Sequence, residues 1–161
     1  MPKIQASVWL NCFFNEYSGN TTDNVMKVSV ELQQNVNFKG TSGSGHEMMM
    51  DGPEEFGGEN LGARPMETML IGIGGCASFD VVHILRKRRL TVDSCVADIE
   101  AERAETEPKV FTKIHLHFKV SGEKLTDKAV GLAVQQSAEK YCSASIMLGK
   151  TADISHSFEI I

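Results

Sequence analysis

The stretch from Pro65 to about Arg88 limits the possible folds more than any other part of this chain. Its middle, Met69-Leu70-Ile71-Gly72-Ile73-Gly74-Gly75-Cys76-Ala77, is apolar on every side of a helix. A helix that is apolar all round is buried in a core rather than laid on a surface. Pro65 suits the first helical turn, where its missing N–H has no bond to lose. Gly72, Gly74 and Gly75 each weaken such a helix by roughly 1 kcal/mol relative to alanine. That cost predicts a compensating close approach of another backbone on the glycine face. The basic run Arg86-Lys87-Arg88-Arg89 comes at the end, cations placed where they offset the helix dipole.

Short strands surround this helix. Three candidates precede it, at about 26–32, 35–40 and 45–51, the last closed by the breaker Asp51-Gly52-Pro53. Glu54 to Ala63 reads as a loop. Two longer strands come after it, at about 91–104 and 109–121, joined by a hairpin loop at 104–108. Alternation in the second assigns Val110, Thr112, Ile114, Leu116, Phe118 and Val120 to one face. It assigns Phe111, Lys113, His115, His117 and Lys119 to the other. A second helix runs from about Thr126, a fitting N-cap, to Tyr141, burying Ala129, Val130, Ala133, Val134 and Ser137. Cys142 lies at its C-terminal end, before a helical turn to Leu148 and a last strand at about 151–160. Strands, helix, hairpin, helix, strand is an α+β order, not a doubly wound sheet.

The length, 161 residues, suits one domain with its own core. Residues 1–25 read as an N-terminal extension, with Ile4, Ala6, Val8 and Leu10 alternating as an extra edge strand; residues 26–161 form the domain proper. The net charge of −5 argues against nucleic acid, which needs a basic face. No apolar stretch approaches the ~18 residues of a membrane span, and the N-terminus lacks the sustained apolar region of a signal peptide. A cytoplasmic location is expected. Of the cysteines Cys12, Cys76, Cys95 and Cys142, none forms a CxxC pair, so a zinc ribbon or thioredoxin motif is not expected. In a reducing cytosol a disulfide here would be transient and functional rather than structural.

Two segments carry a family resemblance. Arg64-Pro65-Met66-Glu67-Thr68-Met69-Leu70-Ile71-Gly72-Ile73-Gly74-Gly75-Cys76 resembles the proline-led central helix of OsmC/Ohr proteins, with the first redox cysteine at the same distance from the proline. Tyr141-Cys142-Ser143-Ala144-Ser145 resembles the second cysteine segment of that family. Ser137 to Ser143 and Ser155-His156-Ser157 are most similar to its YhfA-like branch. The resemblance spans about Met26 to Ile161. It implies an OsmC-like fold of antiparallel sheets with a long central buried helix and a second helix, in an intertwined homodimer with active sites at the subunit interface. It further implies a thiol peroxidase for organic hydroperoxides, with Cys76 forming a sulfenic acid that Cys142 resolves and an external dithiol reduces. No cofactor and no metal are implied.

The peroxidase members add an arginine from the N-terminal part and a glutamate directly after the helix-leading proline. Here no arginine precedes Arg64, and Met66 takes the glutamate position, with Glu67 one residue later. Arg64 and Glu67 are therefore the assisting candidates. Asp80 and His83, four and seven residues after Cys76, share its helical face and join them, either tuning the thiol or forming a metal cluster with it; the plainer reading of both is polar contact with the dimer partner or a backbone group. The rival reading is a non-enzymatic protein that holds a small apolar or electrophilic molecule in the interface pocket. Cys12 and Cys95 read as packing or surface thiols. His115 and His117 have the spacing of a metal pair but read as solvated strand residues. Gly72-Ile73-Gly74-Gly75 is no nucleotide loop, since no strand precedes it.

Overall fold

The computed structural model describes residues 25–161. The chain falls into two units, Met1–Arg64 and Pro65–Ile161. The expected extension at 1–25 and Cys12 lie outside the described residues, Val25 apart.

In the first unit, β1 (Val28–Gln34), β2 (Asn37–Ser42) and β3 (Glu47–Asp51) form an antiparallel sheet in that order. Each strand falls close to its expected range. The loop after β3 is built around Asp51, which is buried. Its carboxylate accepts the backbone N–H groups of Gly52, Glu59 and Leu61 at 2.8, 2.9 and 2.9 Å. These bonds, Leu61's foremost, and the nearby Arg64 charge hold the Asp51 carboxyl below its usual range. The Arg64 guanidinium also donates to the Gly52 carbonyl. Asp51 therefore organises the loop that leads to Pro65, beyond its expected role as a breaker.

The second unit begins with α1 (Pro65–Lys87), followed by β4 (Ser94–Arg103), β5 (Phe111–Ser121), α2 (Asp127–Gln136), α3 (Ser143–Leu148) and β6 (Asp153–Ile160). Thr126 caps α2 as expected, its hydroxyl accepting the Ala129 N–H at 3.2 Å. The sheet order is β4-β5-β6. β4 and β5 pair antiparallel, but β5 and β6 pair parallel, so the sheets are not all antiparallel. The reason is the crossover: α2 and α3 carry the chain back along the sheet before β6 begins.

One face of α1 (Ile73, Ala77, Val81, Ile84 and Leu85) is buried with Ile114, Leu116, Phe118 and Val120 of β5 and Val130, Ala133 and Val134 of α2. By length and composition alone α1 is apolar enough to cross a membrane, with a mean hydropathy of 1.6 in its most apolar window. That corrects the expectation that no stretch approaches such a length, although the buried face is that of a core helix. Burial is not all-round either. Ile71 and Phe79 are exposed, Phe79 by 63%. Gly74 faces the Ile99 side chain so closely that a Cβ would lie 2.6 Å from its Cδ1. A side chain, not the expected backbone, fills that notch; the Cβ positions of Gly72 and Gly75 meet open space.

The β5 alternation also differs at one end. Phe111, expected on the polar face, is only 5% exposed, while Thr112 is exposed. Glu102 pairs with Lys113 and Arg103 with Phe111, which leaves Thr112 as an extra residue. A one-residue bulge reverses the facing of everything beyond it.

Candidate active site

Cys76 lies in the middle of α1, half-buried. Asp80, one helical turn later, is 6% exposed. Cys142 reaches the same place from the other side of the core. It sits where a π turn at Ser137–Tyr141 ends and α3 begins. Its N–H donates to the Ser137 carbonyl at 2.9 Å, the i→i−5 bond of a π turn. Its fully buried sulfur accepts the Ser145 N–H at 3.4 Å, capping α3. The two sulfurs and a carboxylate oxygen of Asp80 all lie within 4.8 Å of one another. A disulfide would need the two sulfurs to close to ~2.05 Å.

Ser137 ties the group together. Its hydroxyl donates to the Ala77 carbonyl at 3.2 Å and lies 3.5 Å from Asp80 Oδ2. Burial raises the Asp80 pKa, and the Ser137 hydroxyl only partly offsets this. Burial likewise pushes the Cys142 thiol up to about 11; contacts with Ser145 pull against that shift, and the neighbouring Cys76 adds to it. Cys142 is thus a shielded, protonated thiol at neutral pH, and Cys76 is the one with access to solvent.

The raised Asp80 pKa has a consequence for stability. The native carboxyl holds its proton more tightly than the unfolded one, so stability falls as pH rises above 3.8 and the loss is complete above the native value. Asp80→Asn is expected to unfold at higher urea than the wild type at neutral pH, with the difference vanishing below pH 3.8. A lower midpoint at neutral pH would mean that a stabilising partner holds the carboxylate.

Two further candidates lie elsewhere on α1. Glu67 precedes Cys76 by nine residues, which places it about 13 Å along the helix axis and roughly half a turn around it. It borders a shallow depression with Leu70, Gly74 and Ala97. His83 is on the Cys76 face but about 10 Å further along the axis, and its ring stacks on Phe79 with centroids 5.8 Å apart. Neither belongs to the Cys76–Asp80–Cys142 group. Arg64 belongs to the first unit, where it serves the Asp51 loop. Cys95, in β4, is half-buried, and burial raises its pKa.

Some features of the site are not visible in the sequence. Periodicity places Ser137 only on a buried stripe, and the π turn lies within a stretch that reads as one continuous helix. His115 and His117 are more than solvated strand residues. Parallel pairing sets them beside β6, where His115 contacts the Ser155 and Ser157 hydroxyls at 2.7 and 2.8 Å. His117 contacts Ser157 at 2.7 Å and Glu159 at 3.3 Å. The alternating Ser-x-Ser-x-Glu of β6 is the signal for this ladder, and it becomes readable only once the parallel register is known.

Comparison with known proteins gives a consistent picture. Residues 57–157 match the family model described as OsmC-like protein. A protein named YhfA from Escherichia coli is 44% identical over 139 residues, covering 84% of this chain and 98% of the relative. The crystal structure of a hypothetical protein from Aquifex aeolicus superposes with a TM-score of 0.75 at 32% identity, covering 86% of this chain and 98% of that one. An organic hydroperoxide resistance protein, OsmC, from Legionella pneumophila shares the fold with a TM-score of 0.65 at 18% identity, covering 84% of this chain and 96% of its own.

Proposed function

This chain belongs to the OsmC-like family, and from that premise we propose that it is a thiol-dependent redox protein that reduces organic hydroperoxides through Cys76 and Cys142. The observation that carries the reading is the convergence of both sulfurs and Asp80 within 4.8 Å. Hydroperoxide resistance is named for the Legionella pneumophila protein of the same fold and supports the choice of substrate class.

The reaction begins at Cys76. Its thiolate attacks one oxygen of the hydroperoxide, an S–O bond forms, the O–O bond breaks and the other oxygen leaves as alkoxide. Asp80, with its raised pKa, takes the Cys76 proton before attack and returns it to the alkoxide, giving the alcohol. Cys142 then attacks the Cys76 sulfenic acid, and its thiol proton leaves with the hydroxyl as water. The product is the Cys76–Cys142 disulfide, which an external dithiol of a reducing cytoplasm returns to two thiols. The division of labour tracks exposure: the solvent-facing thiol meets the oxidant, and the buried one waits for the sulfenic acid.

The reading includes a homodimer. The outward side of α1 supports it, where Phe79 and Ile71 are exposed and Gly72 and Gly75 leave room for close approach. A second copy of this helix fits that surface, because small residues let two backbones draw together.

The test is mass spectrometry of reduced protein exposed to one equivalent of cumene hydroperoxide. The expected result is loss of two hydrogen atoms per chain, located by digestion to a Cys76–Cys142 linked peptide, with cumyl alcohol formed in equal amount. Intact hydroperoxide alongside two free thiols would end the proposal and favour the non-enzymatic binding protein.

A further inference from the structure

Cys76, Asp80 and Cys142 point at one small volume with a donor set that no redox step uses all at once. We propose that the reduced group is a binding site for a thiophilic divalent cation of the zinc and cadmium class, held by the two sulfurs and one Asp80 oxygen. The proposal rests on the reading of Cys76 and Cys142 as a working thiol pair, and it adds a second, mutually exclusive state for that pair.

Three features of the site carry it. The first is distance. In a tetrahedral zinc site with Zn–S of about 2.3 Å and Zn–O of about 2.0–2.2 Å, donor atoms lie roughly 3.3–3.8 Å apart. Here all three donors already fall within 4.8 Å of one another, so a modest closure of side chains is enough. The second is charge. Cys142 is fully buried and Asp80 nearly so, with the Ser137 hydroxyl 3.5 Å from the Asp80 carboxylate. Once binding has displaced the thiol protons, a buried dication offsets two of the three negative charges that two thiolates and a carboxylate would carry there. The third is the surroundings. The Ser137 hydroxyl lies 3.5 Å from Asp80 Oδ2 and donates to the Ala77 carbonyl, the kind of outer support that orients a ligating carboxylate.

The donor chemistry selects the ion. Two thiolates with a single carboxylate suit zinc or cadmium rather than magnesium or calcium, which require mostly oxygen ligands. Binding displaces the thiol protons. It also excludes disulfide formation, because both sulfurs are engaged. Conversely, a hydroperoxide that oxidises the pair removes two ligands: the dithiolate gives two electrons to the O–O bond, two protons are consumed, and alcohol, water, disulfide and free cation result. The site would release its metal on oxidation.

The test is a cadmium titration of the reduced, chelator-treated full-length protein, followed by thiolate-to-cadmium charge-transfer absorption, with zinc competition against a chromophoric chelator. One equivalent of cadmium should bind to wild type and to Cys95→Ser. Cys142→Ser and Cys76→Ser should lose the absorption. Asp80→Asn should keep its fold, as its urea midpoint reports, yet bind at least about tenfold more weakly, since changes even at outer-shell partners cost roughly 10–100-fold. Unchanged absorption in Cys142→Ser, or unchanged affinity in Asp80→Asn, would overturn the three-ligand site. Hydroperoxide consumption by metal-free protein is measured in parallel. Consumption without cadmium binding refutes only the metal site; cadmium binding without consumption refutes only the peroxidase.

Discussion

Cys76→Ser is expected to abolish hydroperoxide consumption, whereas Cys142→Ser is expected to complete one half of the reaction and stop. A serine hydroxyl at Cys76 keeps roughly the volume of the thiol but does not attack an O–O bond. The loss should reach roughly 10³-fold or more, as when other covalent nucleophiles are removed. Cys142 plays a later part. Its thiol is buried and held protonated up to about 11, so it does not compete for the oxidant at neutral pH. Cys142→Ser should therefore consume one equivalent of hydroperoxide and accumulate a sulfenic acid on Cys76, trapped by dimedone and located by mass spectrometry. Turnover with dithiol reductant would fall sharply. Retained turnover in Cys76→Ser would remove the assignment of the nucleophile, and equal multiple turnover in Cys142→Ser would remove that of the resolving thiol.

Phe118→Ala is expected to cost about 3–5 kcal/mol of folding stability, the range for deleting a buried aromatic side chain. Phe118 is 0% exposed at the centre of β5. It stacks on His156 with ring centroids 6.5 Å apart and an interplanar angle of 7°. Truncation leaves a cavity in the cluster shared by α1, β5 and α2. For a chain of this size each kcal/mol moves the melting temperature by about 2–4 °C, so a fall of roughly 6–20 °C is expected by calorimetry. Phe56→Ala provides the contrast, because Phe56 is 72% exposed; it should change stability by no more than about 0.5 kcal/mol. Similar losses in both variants would show that the sheet face does not carry the core as described.

Local chemistry makes the elements readable from sequence. Pro65 marks the start of α1 through its fixed geometry, and Thr126 marks α2 through its side-chain oxygen. The alternation in β5 identifies the strand itself. The hidden features depend on partners distant in the chain. The parallel pairing of β6 is set by the path of α2 and α3, and the bulge at Thr112 by the register against β4. Neither leaves a local pattern. The site divides the same way. Asp80 is legible because four residues is about one helical turn from Cys76. The convergence of Cys142 on Cys76 is legible only through family resemblance, since no spacing rule links residues 66 positions apart. His83 satisfies the angular rule but fails the axial one: seven residues is about two turns, too far along α1 to join the group.

The π turn at Ser137–Tyr141 gives this arrangement an adjustable aim. In a regular helix each added residue swings the chain beyond it by about 100°, so the length of this turn sets the direction in which Cys142 leaves it. The wide turn absorbs that swing between two ordinary helices. Cys142 stays tied to the end of α2 through Ser137 and to the core that α2 shares, so inserting or deleting one residue in that turn would re-aim the second sulfur while α2 keeps its own packing register.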